Sequence, residues 1–341
     1  MPSPLARLLA LSAVLTLVVA ACSADEAASP SPSPEPAAQA GTAALASVET
    51  PQCAGDAGVA GDIPGWPLVG GADARFMPMV ASSLVTAGPN RFLYNVLDPA
   101  YRQLAAPDVA STVEFYAIER DPNTPTDRVE AAYLPAGLGR GLYRAATEFD
   151  CVGEWGAEVT VELADGSEAS ERLRFFVHAL GSTPAIGEPV PLSDSLTAAT
   201  PEDIARISTD PHPYPAAYDA TIAETVTSGR PSLVFFATPA FCQTGYCGPT
   251  VELVKSVARD YEGAVEFVNV EPYELHLTEN GLQPLLDDAG QLQPVQAALD
   301  YGIPLEPYLF LVDAEGRAFA KYEGIVGADE LRAAIEDVLA A

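Results

Sequence analysis

The chain has 341 residues, with 47 acidic against 17 basic side chains and a formal net charge of -30 at pH 7. A charge of this sign and size argues against a nucleic-acid partner, and against attachment to an anionic membrane through a basic patch, because both surfaces would repel the body of the protein. The acidity reads as a solubility trait spread over the surface, and the length leaves room for two domains of ordinary size.

Arg7 precedes an apolar run at 8–21. That run is too short to span a bilayer core of about 30 Å as a helix, but it suits the hydrophobic region of a signal peptide. It ends Val18-Val19-Ala20-Ala21-Cys22, which resembles the lipobox of bacterial lipoproteins. The resemblance implies removal of residues 1–21, lipidation of Cys22, and a location at the extracytoplasmic face of the cell membrane; ordinary cleavage beside an incidental cysteine is the alternative. Residues 22–70 carry alternating Ser and Pro at 29–34 and continue rich in Ala, so they read as a solvated tether followed by a loop-rich segment.

Five cysteines are present: Cys22, Cys53, Cys151, Cys242 and Cys247. With Cys22 assigned to the lipid, four remain in a compartment where disulfides persist. Proximity pairs Cys242 with Cys247, which leaves Cys53 and Cys151 either as a structural disulfide stapling the loop-rich segment to the middle domain or as two free thiols.

Residues 71–181 show short apolar runs separated by turn signals, with strands expected at 78–85, 91–97, 111–119, 129–134, 141–149, 156–163 and 171–179. Seven such strands suit a β-sandwich. Tyr143, Phe149 and Gly153-Glu-Trp155 resemble a pattern of immunoglobulin-like domains in bacterial envelope proteins. Tyr143, Phe149 and Trp155 are read as core rather than as a ligand cluster, His178 as a packed or exposed histidine, and the domain as a spacer or protein-contact module. Residues 182–212, rich in Pro, Ser, Thr and Asp, read as a linker.

From 213 to 341 the periodicity alternates between helix and strand. Tyr218, Ile222 and Val226 recur at helical spacing before a strand at 232–237, and Val251, Val254, Val257, Ala258 and Tyr261 mark a helix face. A strand at 265–270, an irregular stretch with Pro272, Pro284 and Pro294, and a short helix at 293–301 follow. Strands around 308–313 and 317–322, then a helix presenting Leu331, Ile335, Val338 and Leu339, complete an αβαβαββα order. Cys242 and Cys247 sit at the turn from the first of these strands into a helix, where free amides and the helix dipole favour a thiolate.

This order, with a cysteine pair after the first central strand and Tyr301-Gly-Ile303 and Pro307-Tyr-Leu-Phe-Leu-Val-Asp313 before a terminal hairpin and helix, resembles thioredoxin. The resemblance covers roughly residues 213–341 and implies an α/β thioredoxin-like domain there; with the immunoglobulin-like sandwich read from the strand pattern before it, the expected fold class is multidomain, an all-β sandwich followed by that α/β domain. It further implies Cys242 as nucleophile, Cys247 as resolving thiol, Pro307 as a cis-proline facing them, Gly324 at a family position, and protein thiols or disulfides of the cell envelope as partners. The chain departs from the family in having four residues between the cysteines, Phe241 where tryptophan is usual, Phe235 and Phe236 where a buried acid is expected, and Glu306 before the proline. No cofactor is implied and no metal ligand is assigned. Two alternatives stay open: a Sco-like copper-binding protein or metallochaperone, with His276 as third ligand beside the cysteines, and a non-catalytic envelope binding protein with a structural disulfide.

Overall fold

The computed structural model describes residues 50–54, 63–68, 73–137, 139–163 and 165–341. The expected signal peptide, the lipidation expected at Cys22 and most of the expected tether therefore lie outside the described residues, and no helix of the described residues is long and apolar enough to cross a membrane.

Among the described residues of the first half there are nine strands, where seven were expected: β1 (Met77–Val80), β2 (Val85–Thr86), β3 (Gly88–Leu97), β4 (Ser111–Tyr116), β5 (Asp127–Glu130), β6 (Ala132–Gly137), β7 (Arg140–Phe149), β8 (Gly153–Glu162) and β9 (Glu168–His178). They form two sheets, ordered β1-β3-β7-β6 and β2-β9-β8-β4-β5. The two extra strands arise where a continuous apolar run changes sheet. β1 pairs with β3 but β2 with β9, and β5 pairs with β4 but β6 with β7. Alternating hydrophobicity marks a buried face without saying which sheet the face belongs to.

Between the sheets lies an aromatic core of Phe92, Tyr94, Phe115, Tyr143, Phe149 and Trp155, each at most 1% exposed. Phe149 meets Trp155 edge-on at 4.8 Å, Trp155 Nε1 donates to the Cys151 carbonyl, and the Tyr143 hydroxyl donates to the Val109 carbonyl. These buried polar ends are satisfied, as aromatic core residues require. His178 is exposed. Cys53 and Cys151 form a disulfide across 98 residues, with Cα atoms 5.1 Å apart. Gln52 pairs with Val152 beside it, and Trp66 packs on Tyr116 beneath the Arg172 guanidinium.

The stretch 182–212 is no free linker. Gly187 and Val190 donate to the Ala318 and Gly316 carbonyls, Ala318 donates back to Glu188, and Val190 and Ile204 are buried. Its prolines suit an edge that needs few donors, while its scattered apolar residues find a core that composition alone does not announce. Helix α1 (Pro201–Ile204), a 3-10 turn (Pro215–Tyr218) and α2 (Ile222–Val226) follow. Thr221 and Glu224 close a capping box on α2.

A second four-stranded sheet is built from β10 (Ser232–Phe236), β11 (Glu266–Val270), β14 (Tyr308–Val312) and β15 (Ala318–Glu323), in the order β11-β10-β14-β15. Helix α3 (Cys247–Asp260) joins β10 to β11. Between β11 and β14 come a hairpin of β12 (Leu275–Thr278) and β13 (Gly281–Pro284), which lies in the stretch expected to be irregular, and α4 (Gln296–Asp300). Helix α5 (Ala328–Ala340) ends the chain. β10 and β14 are buried at every residue, as a sheet covered on both faces demands. Leu233, Phe235, Leu309 and Leu311 share one core with α3 and α5, while Val234, Phe236, Phe310 and Val312 share another with α2 and α4.

The β-rich layers meet through specific contacts. The Arg91 guanidinium pairs with Glu330 at 2.8 Å and also donates to the Glu323 and Ile325 carbonyls, and Arg144 reaches the same Glu330. Both Arg91 and Glu330 side chains are only 15% exposed. Burial alone would push the Glu330 carboxyl up; the two guanidiniums outweigh it and hold that carboxyl below its usual range. Arg91→Ala is expected to cost about 1.5–3 kcal/mol, the scale of hydrogen bonds to charged groups. Because the folded carboxyl titrates low, this stabilisation is full above the ordinary glutamate value of about 4.3 and is lost as pH falls through the lower folded value. The difference between denaturant melts of wild type and Arg91→Ala should therefore shrink in strong acid toward what the two carbonyl bonds of Arg91 contribute, and a constant difference down to pH 2 would contradict the assignment.

Candidate functional site

β10 and β11 run parallel, with Phe236 opposite Val270, so the segments leaving both strands emerge at one edge of the sheet. Ligand and reaction sites of open α/β sheets collect at such edges. The first segment carries 237–246 into α3, the second carries Glu271 and Tyr273, and the turn before β14 delivers Glu306 and Pro307 to the same place.

Cys242 and Cys247 are joined in a disulfide with Cα atoms 5.9 Å apart. Cys247 opens α3 and is 0% exposed, whereas Cys242 is half-buried in the preceding loop. The helix carries no side-chain N-cap, so its first amides remain available; the Cys247 N–H points to Cys242 Sγ at 3.1 Å. A positive helix end aimed at one sulfur favours negative charge on that sulfur. Thr244 Oγ1 lies 3.3 Å from the same atom and donates to the Glu306 carbonyl.

The Glu306–Pro307 peptide bond is cis, and the Glu306 side chain is 2% exposed. Its carboxylate accepts from the Gln243 backbone N–H at 2.6 Å and from the Tyr273 hydroxyl, while the Gln243 side-chain amide donates to that hydroxyl at 2.7 Å. Burial, and then the bond to Glu306, push the Tyr273 hydroxyl well above the usual tyrosine range, so it stays a donor. One sulfur of each cysteine and a carboxylate oxygen of Glu306 all lie within 4.8 Å of one another.

Of the residues expected from sequence, Cys242, Cys247 and Pro307 share one site, and Glu306, read there as a departure from the family that sets a negative charge near the pair, joins them. Although Phe235 and Phe236 leave no acid inside β10, Glu306 brings a buried carboxylate to the sulfurs from the opposite side. His276 is not part of this cluster; it is exposed on β12, opposite Gln283, where it supplies no third ligand to the pair. Gln243, Thr244 and Tyr273 were not legible as site residues. The available signal was positional, since Tyr273 follows a strand parallel to the one preceding the cysteines. Tyr273 also lines a cleft of about 290 Å³ with Tyr218, Asn269, Glu271, Leu275 and Val295.

The sandwich touches the cysteine loop. Tyr246, between the two cysteines, packs with Ile325 against Leu93, Leu134, Ala136 and Leu142 of the outer sandwich face. A side chain on Gly137 would meet Pro249 of α3 at 3.3 Å, and one on Gly245 would meet the Arg140 guanidinium at 3.9 Å. The middle region, expected as a spacer or contact module, therefore buttresses the start of α3.

No protein-family model matches the chain, and the comparison with curated proteins found no match. Among solved structures, the PmoD soluble domain from a Methylocystis species matches over 33% of this chain and 97% of its own, at 14% identity and a TM-score of 0.21. CopC from Methylosinus trichosporium matches over 30% and 96%, at 18% identity and a TM-score of 0.20. A structure described as a glycoside hydrolase from Bacteroides vulgatus matches over 63% of this chain and 35% of its own, at 10% identity and a TM-score of 0.22. Likenesses this slight carry no argument about function.

Proposed function

We propose that this chain is a lipid-anchored, extracytoplasmic thiol-disulfide oxidoreductase, in which an immunoglobulin-like sandwich supports a thioredoxin-like C-terminal domain. One observation carries the reading: a half-buried Cys242 is bonded to a fully buried Cys247 at the uncapped N-terminus of α3. In the reductive direction the Cys242 thiolate attacks one sulfur of a substrate disulfide, and the other substrate sulfur leaves as a thiolate. Cys247 then attacks Cys242 Sγ in the mixed disulfide, which releases the second substrate thiol and closes the Cys242–Cys247 bond. Two electrons pass from the pair to the substrate; the reverse sequence oxidises a substrate dithiol.

The buried second cysteine suits a resolving role, because an incoming protein disulfide can approach Cys242 alone. Anchoring through Cys22 would hold this chemistry at the membrane surface, and an acyl-modified N-terminal Cys22 peptide in mass spectrometry is the measurement that decides it.

The decisive experiment is the equilibrium reduction potential of the Cys242–Cys247 couple. A value between about -120 and -270 mV, the span from DsbA to thioredoxin, supports exchange chemistry. A value below about -300 mV marks a structural staple and removes the proposal.

A further inference from the structure

We propose that reduction of the Cys242–Cys247 disulfide creates a binding site for a zinc-class divalent cation, held by the two sulfurs and the Glu306 carboxylate. The inference requires a reducible bond but not turnover with a protein substrate, so it stands apart from the oxidoreductase reading.

The argument begins with charge. Glu306 is 2% exposed, and among the described residues the hydrogen bonds to its carboxylate come from neutral donors, the Gln243 N–H and the Tyr273 hydroxyl. While the cysteines are bonded to each other they are uncharged. Reduction by an external dithiol, which is itself oxidised to a disulfide, adds two electrons and two protons and leaves two thiols beside that carboxylate. Ionising both thiols would place three negative charges within 4.8 Å of one another in a largely buried site, an arrangement that burial and like-charge repulsion both oppose. A divalent cation that displaces the two thiol protons resolves the conflict and leaves a net charge of about minus one on the first shell.

The donor set then selects the ion. Two thiolates and one carboxylate are ligands of zinc and its borderline-soft neighbours rather than of magnesium or calcium. Tetrahedral coordination with Zn–S of about 2.3 Å separates two sulfurs by about 3.8 Å. The present ligand atoms lie within 4.8 Å, so a small contraction of the carboxylate toward the separated sulfurs closes the shell. The supporting bonds already exist. Gln243 and Tyr273 orient Glu306, and the Cys247 N–H and Thr244 hydroxyl lie against Cys242 Sγ, the kind of outer-shell partners that tune metal affinity. Three protein ligands leave a fourth position for water, on the side where Cys242 is half-buried.

The test is titration of the full chain with Co2+ and Zn2+ in both redox states, after reduction with a non-chelating phosphine. The reduced protein should bind one equivalent, with a sulfur-to-cobalt charge-transfer band and release of two protons, and the oxidised protein should bind none. Glu306→Gln should weaken binding at least about tenfold, while His276→Ala should leave it unchanged. Equal uptake in both redox states, absence of the band, uptake of Cu+ only, or wild-type affinity in folded Glu306→Gln would each overturn the proposal. Should Glu306→Gln fail to fold, X-ray absorption of the wild-type zinc complex decides: two sulfurs with light oxygen ligands support the site, and an imidazole or four-sulfur shell removes it. A pair that exchanges with dithiols yet takes up no metal sinks this inference alone; a pair that binds metal without exchanging sinks the oxidoreductase alone.

Discussion

A Cys247→Ser variant is expected to accumulate mixed disulfides with thiol-bearing partners through Cys242, and a Cys242→Ser variant is expected to accumulate none. The asymmetry follows from placement. Cys242 is half-buried in the loop and receives the Cys247 N–H, whereas Cys247 is fully enclosed among the apolar residues shared by β10, α3 and α5. Attack needs an accessible thiolate, and resolution needs only proximity to the first sulfur. Both variants should lose net dithiol exchange down to the uncatalysed background, so the discriminating reading is the trapped species on a non-reducing gel, mapped by mass spectrometry. Traps through Cys247 in the Cys242→Ser protein would exchange the two roles. Silence from both variants would leave the bond structural.

The second large effect lies two turns further along the same helix. Lys255 Nζ contacts both Asp210 oxygens, at 2.9 and 3.2 Å, and also donates to the His212 carbonyl and to Glu252. The Lys255 and Asp210 side chains are 3% and 2% exposed. Lys255→Met removes the cation and strands the Asp210 carboxylate in the interior, which should cost about 3–5 kcal/mol. In a body of this size that corresponds to roughly 6–20 °C in melting temperature. The paired change Lys255→Met with Asp210→Leu should recover most of the loss, since apolar replacement of a whole buried ion pair is often neutral or better. Thermal melts of the two single variants and the double variant test this directly. A double variant no more stable than Lys255→Met would show that the pair's own attraction, rather than the stranded charge, sets the cost.

Much of the architecture was legible before any coordinates. The apolar runs at 233–237 and 308–312 announce β10 and β14, and the face of Val251, Val254, Val257 and Ala258 announces α3. Proximity pairs Cys242 with Cys247 and leaves Cys53 and Cys151 to bond or to stay free; both pairs are bonded. Other features were hidden. The strand breaks at 81–84 and Ala131 mark changes of sheet inside continuous runs, and pattern carries no record of a partner strand. The segment 182–212 looked like linker because its few apolar residues are diluted by proline and polar side chains, yet those few suffice to dock it. The β12 and β13 hairpin was masked by Pro272, Pro284 and Pro294, which read as breakers, although Pro272 precedes β12, Pro284 is the last residue of β13 and Pro294 lies ten residues beyond it, bridged to Tyr273.

What the sequence determined by itself is what depends on neighbours along the chain: periodicities of two and 3.6 residues, the apolar central strands, and the placement of two thiols at a helix start. What only the tertiary structure decided is what depends on residues distant in sequence. Tyr273 stands 26 positions beyond Cys247 with no local pattern to mark it as a partner of the sulfurs, and Glu306, 59 positions beyond, is signalled only by its place before Pro307. They meet because β10 and β11 run parallel and release their segments at one sheet edge, while the turn before β14 returns to that edge from the other side. The same holds for the clamp of Arg91 and Arg144 on Glu330 and for Tyr246 against the sandwich, contacts that burial creates and a one-dimensional pattern cannot encode.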